Sequence, residues 1–229
     1  MQSDEREVTM TALRQSMIRG TPAAGALGLL IAVYVPAFAA TAWIRPGLPK
    51  AIPLVIGISL LVAMVLVGWL VRRDRDVASF GFAKPDSRSL WRAFAYGVPL
   101  AMGVAWLVRA FPHPAPFDAS RLAHWQLLLY FVIATPMQEE FIFRGLIQSF
   151  LQQRWSSDVR MRALRVSLAV LFTTALFALV HLGSGWPTTL GAIALSLLAG
   201  ELRRQSGSLL PAIVVHALFN IAAMPWSTG

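Results

Sequence analysis

Apolar and polar positions in this chain come in blocks, not at the period of a surface helix or a half-buried strand. Apolar runs occupy about 23–43, 51–71, 93–111, 125–152, 163–182, 186–202 and 209–226, with short polar or proline-containing connectors between them. A run of roughly twenty apolar residues is the length at which an α-helix crosses a bilayer core. The pattern predicts an all-α fold, a polytopic transmembrane helical bundle of about seven spans, in which the sixth block is short enough to be re-entrant. Residues 1–229 then read as a single membrane domain, opened by a polar segment over 1–20.

The connectors refine this outline. The 45–50 link is short enough to make the first two blocks an antiparallel pair. In the polar 72–92 stretch, Phe80-Gly81-Phe82 and Lys84-Pro85-Asp86-Ser87 read as loop, with Asp86 or Ser87 capping the next helix. Pro112, Pro114 and Pro116 mark an extended connector. Pro136, inside the fourth block, should kink or break its helix just before two glutamates. Ala37-Phe38-Ala39 has the small residues of a signal cleavage site near residue 39, although the polar region before it is long for a signal peptide.

Composition agrees with the membrane reading: 56% of residues are hydrophobic and 14% charged, with a mean hydropathy of +0.61. The absence of cysteine excludes disulfides, thiol catalysis and thiolate metal sites. A net charge of +9 would suit nucleic acid if it were gathered on one face. Here the basic residues lie between apolar blocks, so no nucleic-acid partner is expected. With seven spans, fifteen Lys and Arg fall on one side and four on the other, Arg144 being within a span. The positive-inside rule then makes the amino terminus cytoplasmic, in an integral protein of a bacterial inner or plasma membrane. A re-entrant sixth block would move Arg203 and Arg204 to the other side. Seven of the eight tryptophans fall near predicted span ends, as interfacial anchors do.

Few strongly polar groups remain at depth: Glu139, Glu140 and Arg144 in the fourth block, His181 in the fifth, and His216 with Asn220 in the seventh. Each block presents a four-residue spacing that stacks two side chains on one helix face: Glu140/Arg144, Phe177/His181 and His216/Asn220. Unpaired charges are costly in a bilayer, so the three stripes should meet in an interior polar cluster. Taken alone, Glu140/Arg144 reads as a structural ion pair, His181 as an interfacial histidine and His216/Asn220 as interhelical hydrogen bonding. Glu139 resists such a reading, because it has no basic residue three or four positions away. His113 and His124 fall in the connector and read as solvated, and Glu201 as interfacial beside Arg203 and Arg204.

A sheltered carboxylate with two histidines and an amide suits water activation and oxyanion stabilisation. The same Glu139, His181 and His216 could instead hold a divalent metal such as zinc. No His-Glu-x-x-His, Gly-x-Ser-x-Gly, Walker A or Rossmann motif occurs. One tension concerns depth. His216 lies roughly 12 Å into its block and His181 roughly 27 Å into its own at ~1.5 Å per residue, which coincide only if helices tilt, start late or break.

Glu139-Glu140-x-x-x-Arg144, Phe177-x-x-x-His181 and His216-x-x-x-Asn220, in this order on apolar segments, resemble the CPBP family of CAAX-protease and bacteriocin-processing intramembrane proteases, also called Abi. Ser206-Gly207-Ser208-Leu209 resembles the family's approach to its last motif, so the likeness runs over about 138–220. It implies an intramembrane endopeptidase, similar to the CAAX prenyl protease, with its catalytic core helices over 125–226. It also implies catalysis by Glu139 assisted by His181, with His216 and Asn220 holding the oxyanion and Glu140, Arg144 and Phe177 in support. No cofactor is favoured. The expected partners are membrane lipid and a peptide or protein substrate, lipidated or membrane-anchored. The competing reading is a non-catalytic membrane scaffold or bacteriocin-immunity factor. A transporter is disfavoured by the lack of internal repeats.

Overall fold

A computed structural model describes residues 21–43, 48–74, 77–111, 123–155, 158–161 and 164–224. Its helices are α1 (Pro22–Trp43), α2 (Leu48–Asp74), α3 (Ser87–Ala110), α4 (124–152), α5 (Leu168–His181), α6 (Trp186–Ser206) and α7 (Leu210–Ala223). The chain is an all-α bundle in which α4 is a central post. Its second half is wrapped by α1, α2, α5 and α6, and α3 and α7 form a tightly packed pair beside α6.

Which side chains face outward shows what surrounds the bundle. On α3 the inward stripe is small: Ala93, Gly97, Ala101 and Ala105 are buried. Its outward face is large and apolar, with Trp91, Met102 and Trp106 at 72, 65 and 69% exposure. On α2, Leu61, Met64 and Val65 point out while Ser59, Ala63 and Val67 point in. This inverts the soluble amphipathic pattern, and it is what helices do when apolar side chains meet lipid and small ones let backbones approach. Two helical segments, Ile56–Arg73 and Ser87–Ala110, are long and apolar enough to cross a membrane. Pro22–Ala37, Leu168–Ser184 and Leu210–Ala223 are shorter apolar helices. Close backbone approach is strictest at Gly97, where a Cβ would lie 2.5 Å from Val215 Cγ2 on α7.

Two expectations need correction. The chain does not break at Pro136. It runs on through a π-helical stretch, Leu129–Ala134, into Thr135–Glu140, then a second π stretch, Phe141–Gln148, and a last turn, Ser149–Gln152. Proline lacks an N–H, and an i→i+5 register just before it absorbs the mismatch without ending the helix. The 163–182 block is not helical from its start. Asp158–Met161 and Leu164–Ser167 form a short antiparallel hairpin, and α5 begins only at Leu168. Counted from the observed starts of α5 and α7, the depth mismatch between His181 and His216 falls from about 15 to about 10 Å, with tilt or axial stagger accounting for the rest. The sixth block forms one unbroken helix of 21 residues, α6.

The 77–83 loop closes one end of the bundle. Gly81, at φ +96°, sits where a Cβ would meet Leu209 Cγ at 2.6 Å and Arg203 Nε at 2.7 Å, so only glycine fits its space and its backbone. Its carbonyl accepts from the Leu209 amide at 2.8 Å, and Phe82 bridges to Ser208. The expected cap is present: the Asp86 carboxylate accepts from the Ser89 amide at 2.7 Å. His124 is exposed at the start of α4, and Glu201 pairs with Arg204 at 2.6 Å. His113, Trp226, the 112–122 connector and the 1–20 segment lie outside the described residues.

Candidate active site

The second half of α4 explains how two glutamates and an arginine are tolerated in an apolar helix. Ile142 to Gln148 are buried at seven consecutive positions, because neighbours surround this stretch on every side. Its polar groups must therefore find partners on α5 and α7. Glu140 and Arg144, both 0% exposed, pair along the helix with Nε 3.1 Å from Oε2. The other oxygen, Oε1, lies 2.7 Å from His216 Nδ1 on α7. The Arg144 guanidinium also lies over the Phe177 ring of α5, 4.8 Å from its centroid. Phe177 packs against the His181 ring at 4.4 Å, edge-on to Phe143 at 4.8 Å and edge-on to His216 at 6.1 Å. One buried aromatic thus touches all three motifs.

Glu139, about 100° round the helix from Glu140, turns to the two histidines. Its Oε2 is 3.9 Å from His181 Nε2 and 3.8 Å from His216 Nε2. The hydrogen bonds on the far side of each ring fix the tautomers. His181 Nδ1 is 2.7 Å from the Phe177 carbonyl, which can only accept, so that nitrogen carries the hydrogen. His216 Nδ1–H likewise donates to the Glu140 carboxylate, whose other oxygen faces Arg144. Both Nε2 atoms then face Glu139 with lone pairs when neutral, and become donors only when protonated. Glu139 is 16% exposed and His181 23%, against 3% for His216, so the cluster opens to its surroundings on the α5 side.

These distances are too long for direct hydrogen bonds and suit a shared small molecule. An oxygen about 2.8 Å from Glu139 Oε2 and from either Nε2 would subtend about 85–90°, close to the geometry of water. A metal fits less well. With bonds of about 2.0–2.1 Å the same spacing needs an angle near 140°, far from tetrahedral, so the donors would have to draw together by about half an ångström. Among the described residues no group of three such side chains is gathered closely enough to hold a metal ion.

Asn220, one turn beyond His216, is tied elsewhere. Its Nδ2 donates to the Phe131 carbonyl at 2.9 Å. In the π register that carbonyl's partner would be residue 136, a proline, so Asn220 supplies the N–H that Pro136 lacks. The structure therefore brings Glu139, His181 and His216 together, sets Glu140, Arg144 and Phe177 behind them, and links Asn220 to the helix leading into the motif.

The sequence reading missed contributions from the first two helices. Gln138 is buried and donates to Ser59 Oγ of α2 at 2.9 Å. It also hydrogen-bonds with the Tyr34 hydroxyl of α1. No spacing in the sequence signals these contacts, since a lone Tyr or Ser in an apolar span is unremarkable there. Buried Gln138 directly before the glutamates was the one available hint.

Residues 121–222, just under half of the chain, match the family model described as type II CAAX prenyl endopeptidase Rce1-like. No curated protein and no solved structure matches the chain.

Proposed function

We propose that this chain is a membrane-embedded peptidase of the type II CAAX prenyl endopeptidase kind that residues 121–222 match, and that Glu139 activates the water that hydrolyses its substrate's peptide bond. The observation that carries this reading is the convergence of Glu139 Oε2 with two Nε2 atoms at 3.8 and 3.9 Å. A water held there gives a proton to Glu139 as its oxygen attacks the carbonyl carbon. His216, protonated at Nε2 and braced by the Glu140 anion, donates to the oxyanion that forms. Asn220 has a second amide hydrogen for the same oxygen. Collapse of the tetrahedral intermediate breaks the C–N bond, and the proton on Glu139 passes to the leaving amine with His181 assisting.

The same reading keeps residues 125–226 as the catalytic core and the amino terminus on the cytoplasmic side. The substrate is a lipidated or membrane-anchored peptide or protein, reached from the α5 side where His181 is most exposed. The test is cleavage of a quenched-fluorescent peptide panel, including lipidated CAAX-like peptides, by detergent-purified protein with and without chelator. Wild type should cleave in chelator, and Glu139→Gln should fall by about 10²–10⁴ with an unchanged circular dichroism spectrum. Loss in chelator with rescue by zinc would replace general-base chemistry with metal catalysis. A fully active Glu139→Gln variant would sink the mechanism, and a well-folded wild type that cleaves nothing would favour the scaffold.

A further inference from the structure

Deeper along α4 lies a second cluster of polar atoms that hydrolysis does not use. Arg144 and Gln148 are four residues apart on one face and both 0% exposed, and Thr173 on α5 is 1% exposed. Glu140 engages Arg144 at Nε, 3.1 Å from Oε2. Among the described residues Arg144 Nη1 and Nη2, Gln148 Oε1 and Thr173 Oγ1 all lack a hydrogen-bond partner, although each is fully buried.

Packing places the residues that carry these atoms along the same α4–α5 seam. Arg144 lies over Phe177. A Cβ on Gly200 of α6 would lie 2.9 Å from Val170 Cγ1 and 3.1 Å from Gln148 Oε1, so Gln148 is level with Val170. Thr173 is three residues after Val170 and four before Phe177, on the same face of α5. It therefore looks into the gap between Gln148 and Arg144.

We propose that Arg144, Gln148 and Thr173 form an internal water-binding site behind the catalytic cluster. The donor set selects the ligand. Glu140 neutralises the guanidinium, and Gln148 Oε1 turns a lone pair inward, which disfavours an anion. The guanidinium repels a cation. A water accepts from Nη and donates to Gln148 Oε1 and Thr173 Oγ1, the two to four partners that buried waters have. Its role is positioning: the water fixes the Arg144 guanidinium, which holds Glu140, and Glu140 in turn orients His216. The inference rests on geometry and stands or falls independently of the hydrolytic reading.

A crystal structure of the full chain in a lipid mesophase, at about 2 Å or better, should show an oxygen within about 3.2 Å of an Arg144 Nη and of Gln148 Oε1. Direct contact of Arg144 Nη with Gln148 Oε1, with no density between, would overturn the proposal. X-ray hydroxyl-radical footprinting provides a second measurement, because bound water labels side chains that bulk solvent cannot reach. Val170, at 1% exposure, should label several-fold faster than Val67, at 3%. In a Gln148→Leu, Thr173→Val variant Val170 should drop to the Val67 rate. Equal labelling of the two valines in wild type would refute the site.

Discussion

Replacing Arg144 by methionine strands the Glu140 carboxylate at a position with no exposure, and replacing Glu140 by glutamine strands the guanidinium. At the observed 3.1 Å, the Coulomb attraction is about 5 kcal/mol at an effective dielectric of about 20. Burying each ion costs several kcal/mol, so the intact pair is close to break-even, whereas removing one partner should cost about 3–5 kcal/mol. The Glu140→Gln, Arg144→Met double variant leaves no buried charge, and the new amide oxygen can still accept from His216 Nδ1–H. It should therefore be more stable than the sum of the single losses predicts, with a coupling of about 3 kcal/mol. Reversible unfolding in bicelles, followed by tryptophan fluorescence or steric trapping, measures all four corners of the cycle. Single variants that each lose less than about 1 kcal/mol and add would refute the argument, because the charges would then be solvated in the folded protein.

Other consequences are simpler to state. Arg203 is buried without a carboxylate partner among the described residues, donating to the Ser79 carbonyl at 2.6 Å and Ser149 Oγ at 3.0 Å. Arg203→Met should free the 77–83 loop and speed hydrogen exchange at the Leu209 amide by about 10–100-fold, from loss of about 1.5–3 kcal/mol. Gly97→Ala should cost about 1–3 kcal/mol by overpacking, and Val215→Ala in the same chain should recover most of it in a melting experiment. The Ser89 hydroxyl and amide hold the Asp86 carboxyl below its ordinary value. Its capping contribution is then fully present above about pH 3.9 and lost as pH falls through the depressed folded value. An NMR titration of Asp86 should give a midpoint below that reference, and a midpoint at or above it would contradict the cap.

Sequence revealed this site so far as its geometry is local. Glu140/Arg144, Phe177/His181 and His216/Asn220 are all i,i+4 pairs, and helix geometry alone puts each pair on one face wherever the helix sits. Bilayer energetics supplied the next step, since three polar stripes on apolar helices must face inward. The missing information is of a different kind. Whether Glu139 or Glu140 meets a given histidine depends on the rotation of α4 against α5 and α7, and two π-helical stretches within 124–152 shift that rotation without any periodic signal in the residues. Pro136 was legible as a disturbance. Its outcome, a continuous helix with the Phe131 carbonyl taken by Asn220, depended on a residue 84 positions downstream. The late start of α5 follows from a hairpin whose strands are only four residues each, too short for alternation to stand out beside a twenty-residue apolar block.

The same division explains why α1 and α2 read as generic spans while shaping the motif. Tyr34 and Ser59 are single polar groups on helices whose outer faces need only be apolar, so neither creates a stripe. They matter because Gln138 is adjacent to Glu139 and its amide is held from two helices at once. Rotating α4 enough to take Glu139 off the histidines would break the Gln138–Ser59 hydrogen bond. It would also pull Glu140 from His216 and Asn220 from Phe131. Three contacts, to α2 and α7, thus oppose one rotation, and an otherwise apolar bundle, whose lipid-facing surface has no preferred register, keeps Glu139 within 4 Å of both imidazoles.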